Sequence, residues 1–249
     1  MHSKSSGKIV SLVFFSILFL CAPQGFAQAQ SGLEAKEVGN LISWLLKNGE
    51  ATRGVLFSEV IEATAGKKIL PVDREKDADV LLALDEAMGR VLAEMNAEDS
   101  PVKKVGRINE TSHFFEEALL RELNVNAGMK ASLPLTADGK MQRSGYPDIE
   151  LETADGRIFY LDPKLYARGS EGSSFRTFYF EPRDGTNKVN RDARHLLVGI
   201  AHDFAATGRF LSWQVIDLTT FRVQLKAEFQ GSNRDLYREE AVVGGGEAR

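Results

Sequence analysis

A predicted β-hairpin constrains the fold of this chain more than any other segment. Residues 148–153 and 157–164 both read as strands, and Ala154-Asp155-Gly156 between them suits a three-residue loop closed by a glycine in the left-handed region. This loop length places Asp148 directly opposite Asp162, on the same face of the sheet. A two-residue turn would instead place the two aspartates on opposite faces.

The hairpin also predicts a site for a cation. Lys164 lies two residues beyond Asp162 and therefore points to the same face. Two carboxylates held together repel each other unless a cation lies between them, and oxygen ligands favour Mg²⁺, with Mn²⁺ as an alternative. Because such an ion can polarise a phosphoryl oxygen and a lysine can orient the attacking water, this set suits hydrolysis of a phosphodiester.

At these residues the chain resembles a known family. Pro147-Asp148, thirteen intervening residues and then Asp162-Pro163-Lys164 are similar to the signature of the PD-(D/E)xK nuclease superfamily, which has a restriction-endonuclease-like fold. Pro163 stands where that family usually has an aliphatic residue. A proline removes a hydrogen-bond donor from the strand, but its carbonyl can still bind a metal. The resemblance covers residues 106 to about 225.

The resemblance implies a fold and a set of roles. The fold is α/β, a mixed central sheet flanked by helices, and the family order of elements matches a helix over 109–123, the hairpin, a helix over 189–206 and a strand over 212–221. Asp148 and Asp162 would bind metal and Lys164 would be the catalytic lysine. An acidic residue on the first helix would join them, with Glu110 preferred and Glu117 in reserve.

The remaining segments give a domain plan. Residues 33–48 and 77–95 show helical periodicity, so 30–100 is predicted to be a helical cap segment, followed by a nuclease domain over 101–240 and a flexible tail over 241–249. Further strands are predicted over 129–135, 175–181 and 222–229. His195 and His202 would share one face of the helix over 189–206, and we interpret them as structural rather than zinc-binding.

A local basic stretch is the candidate nucleic-acid surface. The formal net charge of the chain is −4, so any nucleic-acid site must be a local patch. The segment 164–194 carries such an excess of positive charge, and five of its residues are predicted to contact phosphates: Arg168, Arg176, Lys188, Arg191 and Arg194. The alternative is an ordinary charged loop.

The first residues have the pattern of a secretory signal peptide. Lys4 and Lys8 precede an apolar run over 9–22, and Ala27-Gln28-Ala29 forms a cleavage pattern, which predicts a signal peptide over 1–29. Gly25-Phe26-Ala27 is a rival cleavage pattern. The apolar run is shorter than the roughly 20 residues that a membrane-spanning helix needs, although an uncleaved anchor is the alternative. Cleavage would leave no stable membrane insertion.

These observations together predict an exported, Mg²⁺-dependent nuclease located in the periplasm or outside the cell. DNA is favoured as the substrate over RNA. Two alternatives are a catalytically inactive nucleic-acid-binding protein on the same fold, and an envelope structural or interaction protein whose hairpin charges are incidental. The single cysteine, Cys21, excludes an internal disulfide and a cysteine-rich zinc site.

Overall fold

The computed structural model describes residues 35–50, 52–105, 107–174, 177–226, 228 and 230–246. The predicted signal peptide, Cys21 and Arg176 therefore lie outside the described residues. The chain divides into two compact units, of which the first ends at Trp44 and the second begins at Leu45. Within the described residues, no helix is both long and apolar enough to cross a membrane.

The second unit contains most of the secondary structure. The helices are α1 (Ala35–Lys47), which begins in the first unit, α2 (Phe57–Ala65), α3 (Ala78–Asn96), α4 (Ser112–Leu123) and α5 (Asn233–Leu236). The strands are β1 (Arg53–Leu56), β2 (Met129–Ser132), β3 (Ile149–Thr153), β4 (Ile158–Ala167), β5 (Arg194–His202), β6 (Phe210–Asp217) and β7 (Arg222–Gln224). Short 3₁₀ helices cover Pro101–Lys104, Ile108–Glu110, Leu218–Thr220 and Glu239–Ala241.

Five strands form a mixed central sheet in the order β2-β3-β4-β5-β6. The β4 and β5 strands are parallel, and the other neighbours in this sheet are antiparallel. A separate two-stranded sheet pairs β1 with β7. The predicted fold class, α/β with a mixed sheet flanked by helices, is confirmed.

The side chains of β4 alternate between two hydrophobic clusters, as expected for a strand that is covered on both faces. Phe159 and Leu161 pack with α3 and α4, whereas Ile158 and Tyr160 pack with α2. The central sheet therefore lies between two helical layers. Helix α3 contributes eight buried residues, so this part of the predicted cap shares the core of the sheet.

The predicted hairpin register is confirmed. Ile149 pairs with Leu161, and the Asp148 N–H donates to the Leu161 carbonyl at 3.2 Å. The loop closes through Gly156, whose φ of +84° is the left-handed conformation that the three-residue turn requires. Since β4 pairs with β3 only up to Leu161 and runs on to Ala167, Asp162 and Lys164 lie where β3 ends.

The prediction of a helix over 189–206 is wrong, because residues 194–202 of this segment form strand β5. Leu196, Val198 and Ile200 face one hydrophobic cluster, and Leu197 faces the other. A central strand buried on both faces has a continuous apolar run, which periodicity alone does not distinguish from a buried helix. His195 and His202 are an odd number of residues apart on a strand, so they lie on opposite faces rather than on one.

Other predicted strands are shorter or absent. Strand β2 ends at Ser132 rather than at 135, and β7 ends at Gln224. The described residues 177–181 form no strand; Phe178 and Phe180 instead pack their rings edge-on against Phe57. The connection from β4 to β5 contains no helix in its described residues 168–174 and 177–193.

Candidate active site

The side chains of Asp148, Asp162 and Lys164 converge at the end of β3. Lys164 Nζ lies 2.6 Å from Asp162 Oδ2 and 3.3 Å from Asp148 Oδ2. Lys164 Nζ also donates to the Pro163 carbonyl at 3.3 Å. The structure thus brings together the three residues that the hairpin register predicted to meet.

Asp162 is a buried carboxyl, with 2% of its surface exposed. Burial and the charge of Asp148 raise its pKa to about 7, against the opposing attraction of Lys164. Its Oδ2 atom forms an ion pair with Lys164 Nζ at 2.6 Å. Asp162 is therefore only partly ionised at neutral pH, and additional positive charge beside it would be needed to ionise it fully.

Lys164 stays protonated at the site. Burial lowers its pKa, but the attraction of Asp162 and Asp148 outweighs burial and raises the pKa above the usual value. Its side chain is 28% exposed, and its ammonium group contacts both carboxylates. It can therefore donate a hydrogen bond to a water or a phosphate oxygen.

The acid that α4 brings toward the site is Glu116. This side chain is half-buried, and burial together with the charge of Asp148 raises its pKa. Glu116 precedes the buried Leu119 and Leu123 by three and seven residues, which places it on their side of the helix. That spacing is a signal that sequence reasoning could have used.

The two acids named from the sequence lie elsewhere. Helix α4 begins at Ser112 rather than at Asn109, so Glu110 belongs to the preceding 3₁₀ turn and is exposed. Glu117 is exposed and pairs with Arg143 Nη2 at 2.7 Å. Among these three acids, Glu116 is the one whose pKa the charge of Asp148 raises, and it replaces Glu110 and Glu117 as the candidate on α4.

Lys188 also belongs to this cluster. It is 1% exposed, and its Nζ donates to the Arg143 carbonyl at 3.4 Å. Burial lowers its pKa, and the charges of Asp148 and Asp162 oppose that change. The sequence predicted Lys188 to be a surface phosphate contact, but it is a buried residue on which the charges of Asp148 and Asp162 act.

A buried pair anchors the chain just before Asp148. Tyr146 Oη lies 2.6 Å from His195 Nδ1, so the two share a hydrogen bond. Burial lowers the pKa of His195 to about 3, so this imidazole is neutral at physiological pH. Because Tyr146 lies two residues before Asp148, this contact helps to position the carboxylate, as expected for a structural histidine.

The other predicted phosphate contacts have different environments. Arg194 Nε lies 2.8 Å from Oδ2 of the buried Asp77, and Arg191 pairs with Glu152 at 3.0 Å. Arg168 is exposed. The intramolecular ion pairs of Arg194 and Arg191 offset much of the positive charge that made this segment a candidate DNA surface.

The carboxylates fit a divalent cation of the magnesium type. Within the described part of the chain, no three His, Cys, Asp or Glu side chains form a complete protein-only metal site. Magnesium is commonly held by one or two carboxylates, with waters and substrate phosphates completing its shell. Asp148 and Asp162 meet that requirement, and the burial and the charge of Asp148 that raise the pKa of Asp162 are effects that such an ion would oppose.

Comparison with known proteins identifies relatives of this chain. The model of the type II restriction enzyme MjaV family matches residues 50–240. The type II restriction enzyme MjaV of Methanocaldococcus jannaschii is 31% identical over 207 residues, which covers 76% of this chain and 87% of the relative. No solved structure matches the chain.

We expect the metal-free Asp162→Asn variant to be more thermally stable than the wild type at about pH 8, with a difference that shrinks toward about pH 5. The folded state raises the pKa of Asp162 to about 7, whereas an aspartate in an unfolded chain has a pKa of about 3.9. Between these values the folded state binds more protons, so the stability of the wild type falls as the pH rises. Asparagine does not titrate and removes this loss.

Melting curves recorded with a chelator across this pH range test the expectation. Each stabilisation of about 1 kcal/mol should raise the melting temperature by roughly 2–4 °C in a chain of this size. A difference between the two proteins that does not change with pH would contradict it.

Proposed function

The chain belongs to the type II restriction enzyme MjaV family, and we propose that it is a metal-dependent DNA endonuclease whose reaction centre contains Asp148, Asp162 and Lys164. The observation that carries this proposal is the convergence of the two carboxylates on one lysine at the end of β3. Family membership alone supports a class of enzyme, whereas this geometry supports the choice of these three residues.

DNA is the proposed substrate because the relative is a type II restriction enzyme. Hydrolysis of RNA is the alternative at the level of chemistry, since both backbones are phosphodiesters. Exposed Arg168 lies at the end of β4, beyond Lys164, and is the candidate contact to a phosphate outside the reaction centre.

Asp148 and Asp162 would hold Mg²⁺, or Mn²⁺ in its place. The Pro163 carbonyl lies within 3.3 Å of Lys164 Nζ and is a third oxygen directed toward the same point. When bound, the ion would polarise a phosphoryl oxygen and lower the pKa of a bound water. Glu116 would add negative charge from the side of α4.

Lys164 would act on the atoms that react. Its ammonium group is already held by Asp148 and Asp162, so it needs little reorganisation to donate to a water or to a phosphate oxygen. Negative charge on the phosphate oxygens changes in the transition state, and a fixed positive charge there lowers the barrier. The carboxylates would thus bind the ion, and Lys164 would contribute mainly to the rate.

The rival interpretations have less support. A binding protein that had lost catalysis would not need to retain Asp148, Asp162 and Lys164 in one buried cluster. An envelope protein with incidental hairpin charges would not be expected to match a restriction enzyme family over residues 50–240. Cleavage of plasmid DNA by the purified protein, with Mg²⁺ and with a chelator, separates these alternatives.

We also propose that the protein is exported. The family match begins at residue 50, so the predicted signal peptide over 1–29 precedes the homologous part of the chain. A nuclease that leaves the cytoplasm does not meet the chromosome of its own cell. Its role would then be the degradation of foreign or environmental DNA, and its own cell would need no protecting methylase.

Lys164→Ala should reduce the rate of plasmid cleavage by about 10²–10⁴-fold while Ca²⁺ and DNA still bind. A group that acts mainly in the transition state lowers kcat more than it weakens ground-state binding. Cleavage rates at saturating Mg²⁺, together with calorimetric Ca²⁺ binding, measure the two effects separately.

Asp162→Ala provides the contrast, because it should lose metal affinity together with rate. Excess Mg²⁺ or Mn²⁺ should partly restore cleavage by the Asp162 variant and leave Lys164→Ala inactive. Cleavage by Lys164→Ala at the wild-type rate would show that the site is assigned wrongly.

Glu116→Gln should lower the rate of plasmid cleavage, whereas Glu117→Gln should cleave at close to the wild-type rate. The reason is that Glu116 interacts with Asp148, while Glu117 is exposed and pairs with Arg143. The two variants carry the same change at adjacent positions of α4, so each controls for the other. The reverse order of effects would exclude Glu116 from the site.

N-terminal sequencing of protein recovered from the periplasm or the medium should show loss of the first 27 or 29 residues. Either cleavage removes the basic start and the apolar run, as expected of a secretory signal. Protein with an intact Met1 in the cytosol would contradict export, and it would require another means of protecting the host DNA.

A further inference from the structure

Lys188 is a buried ammonium group that the proposed reaction does not use. It is 1% exposed, and the one hydrogen bond found for Nζ within the described residues reaches the Arg143 carbonyl at a long 3.4 Å. A charged amine with so little hydrogen bonding is costly to bury unless opposite charges compensate for it. The charges that attract Lys188 are Asp148, Asp162 and Glu116.

The backbone on both sides of Lys188 is held in place. The Ala137 N–H donates to the Asn187 carbonyl at 2.8 Å, and the Asn190 N–H donates to Tyr160 Oη at 3.1 Å. Asn187 Oδ1 also accepts from the Val189 N–H at 3.0 Å. The position of the Lys188 ammonium is therefore a property of the folded chain rather than of a flexible surface side chain.

The charges around this lysine nearly balance. Asp148, Asp162 and Glu116 oppose Lys164 and Lys188, which leaves a net charge of −1 when all five groups are ionised. The neighbouring Arg143 is paired with Glu117 and contributes little to this balance. A divalent cation would change the net charge to +1, and one phosphodiester would return it to zero.

If the protein has the proposed function, a role for Lys188 follows. We propose that Lys188 is a positioning residue that makes metal binding depend on DNA. Its fixed positive charge opposes binding of a divalent cation by Asp148 and Asp162, so the DNA-free protein binds the cation weakly. The negative charge of the DNA backbone then restores the balance, so metal and DNA bind cooperatively. By linkage, the metal must raise the affinity for DNA by the same factor.

This mechanism predicts an unusual effect of removing a lysine. Lys188→Met and Lys188→Gln should each bind Ca²⁺ more tightly than the wild type in the absence of DNA, by roughly fivefold or more. The factor by which Ca²⁺ strengthens DNA binding should fall in both variants. A lysine that only supported the fold would give the opposite result, because its loss would disorder the carboxylates and weaken Ca²⁺ binding.

The affinity for Ca²⁺ can be measured on the DNA-free protein from the rise in melting temperature with Ca²⁺ concentration, which reports weak as well as tight binding. DNA binding is then measured by fluorescence anisotropy with and without Ca²⁺, on a labelled fragment that the wild-type enzyme cleaves in Mg²⁺. Lys188→Gln removes the charge but keeps a polar side chain, so it remains informative if Lys188→Met does not fold. Lys103→Gln, on the exposed 3₁₀ helix Pro101–Lys104, is the matched control and should behave as the wild type.

The outcomes separate this inference from the proposed function. If the wild type cleaves DNA but the Lys188 variants bind Ca²⁺ with unchanged or weaker affinity, the role of Lys188 is refuted and the enzyme assignment stands. If the wild type neither cleaves DNA nor binds Ca²⁺, both fail. Tighter Ca²⁺ binding in both variants, together with weaker coupling to DNA, supports the inference.

Discussion

The repulsion between two carboxylates that face each other across β3 and β4 is the constraint on which the site depends. Asp148 and Asp162 are brought together by the hairpin register, and Asp162 is almost completely buried. Lys164 lies within 3.3 Å of both and relieves part of the repulsion, but burial still raises the pKa of Asp162 to about 7. The site therefore has a deficit of positive charge, which a bound divalent cation would reduce.

Such a site destabilises the fold around it, so the surrounding structure must hold it rigidly. One support is the hydrogen bond between Tyr146 and His195, which fixes the chain two residues before Asp148. Another is the buried Asp77 at the start of α3, which pairs with Arg194 at 2.8 Å and with Arg157 at 3.2 Å, and so ties that helix to β5 and to the hairpin. Removing either partner from a buried ion pair of this kind is strongly destabilising, because a charge remains unpaired. The ion pair with Asp77 thus accounts for an arginine at position 194 without a contact to DNA.

The errors of sequence reasoning have two physical causes. The apolar pattern of β5 arises from burial on both faces, and it reads equally well as a helix because periodicity reports burial rather than backbone conformation. The choice of Glu110 rested on a helix start at Asn109, but α4 begins three residues later, at Ser112. Glu110 therefore lies before the helix, and identifying the acid on which the charge of Asp148 acts required the packing of α4 against the sheet.

The sequence by itself determined the hairpin, its register and the meeting of Asp148, Asp162 and Lys164. These depend on a three-residue turn closed by Gly156 and on the strict alternation of a strand, which are local properties. The spacing of Glu116 from Leu119 and Leu123 places it on the buried side of α4, but only the tertiary structure brought it under the charge of Asp148 and buried Lys188. It also decided that Arg191 and Arg194 have acidic partners. Contacts between residues distant in the chain are set by the packing of whole elements, and no local pattern encodes that packing.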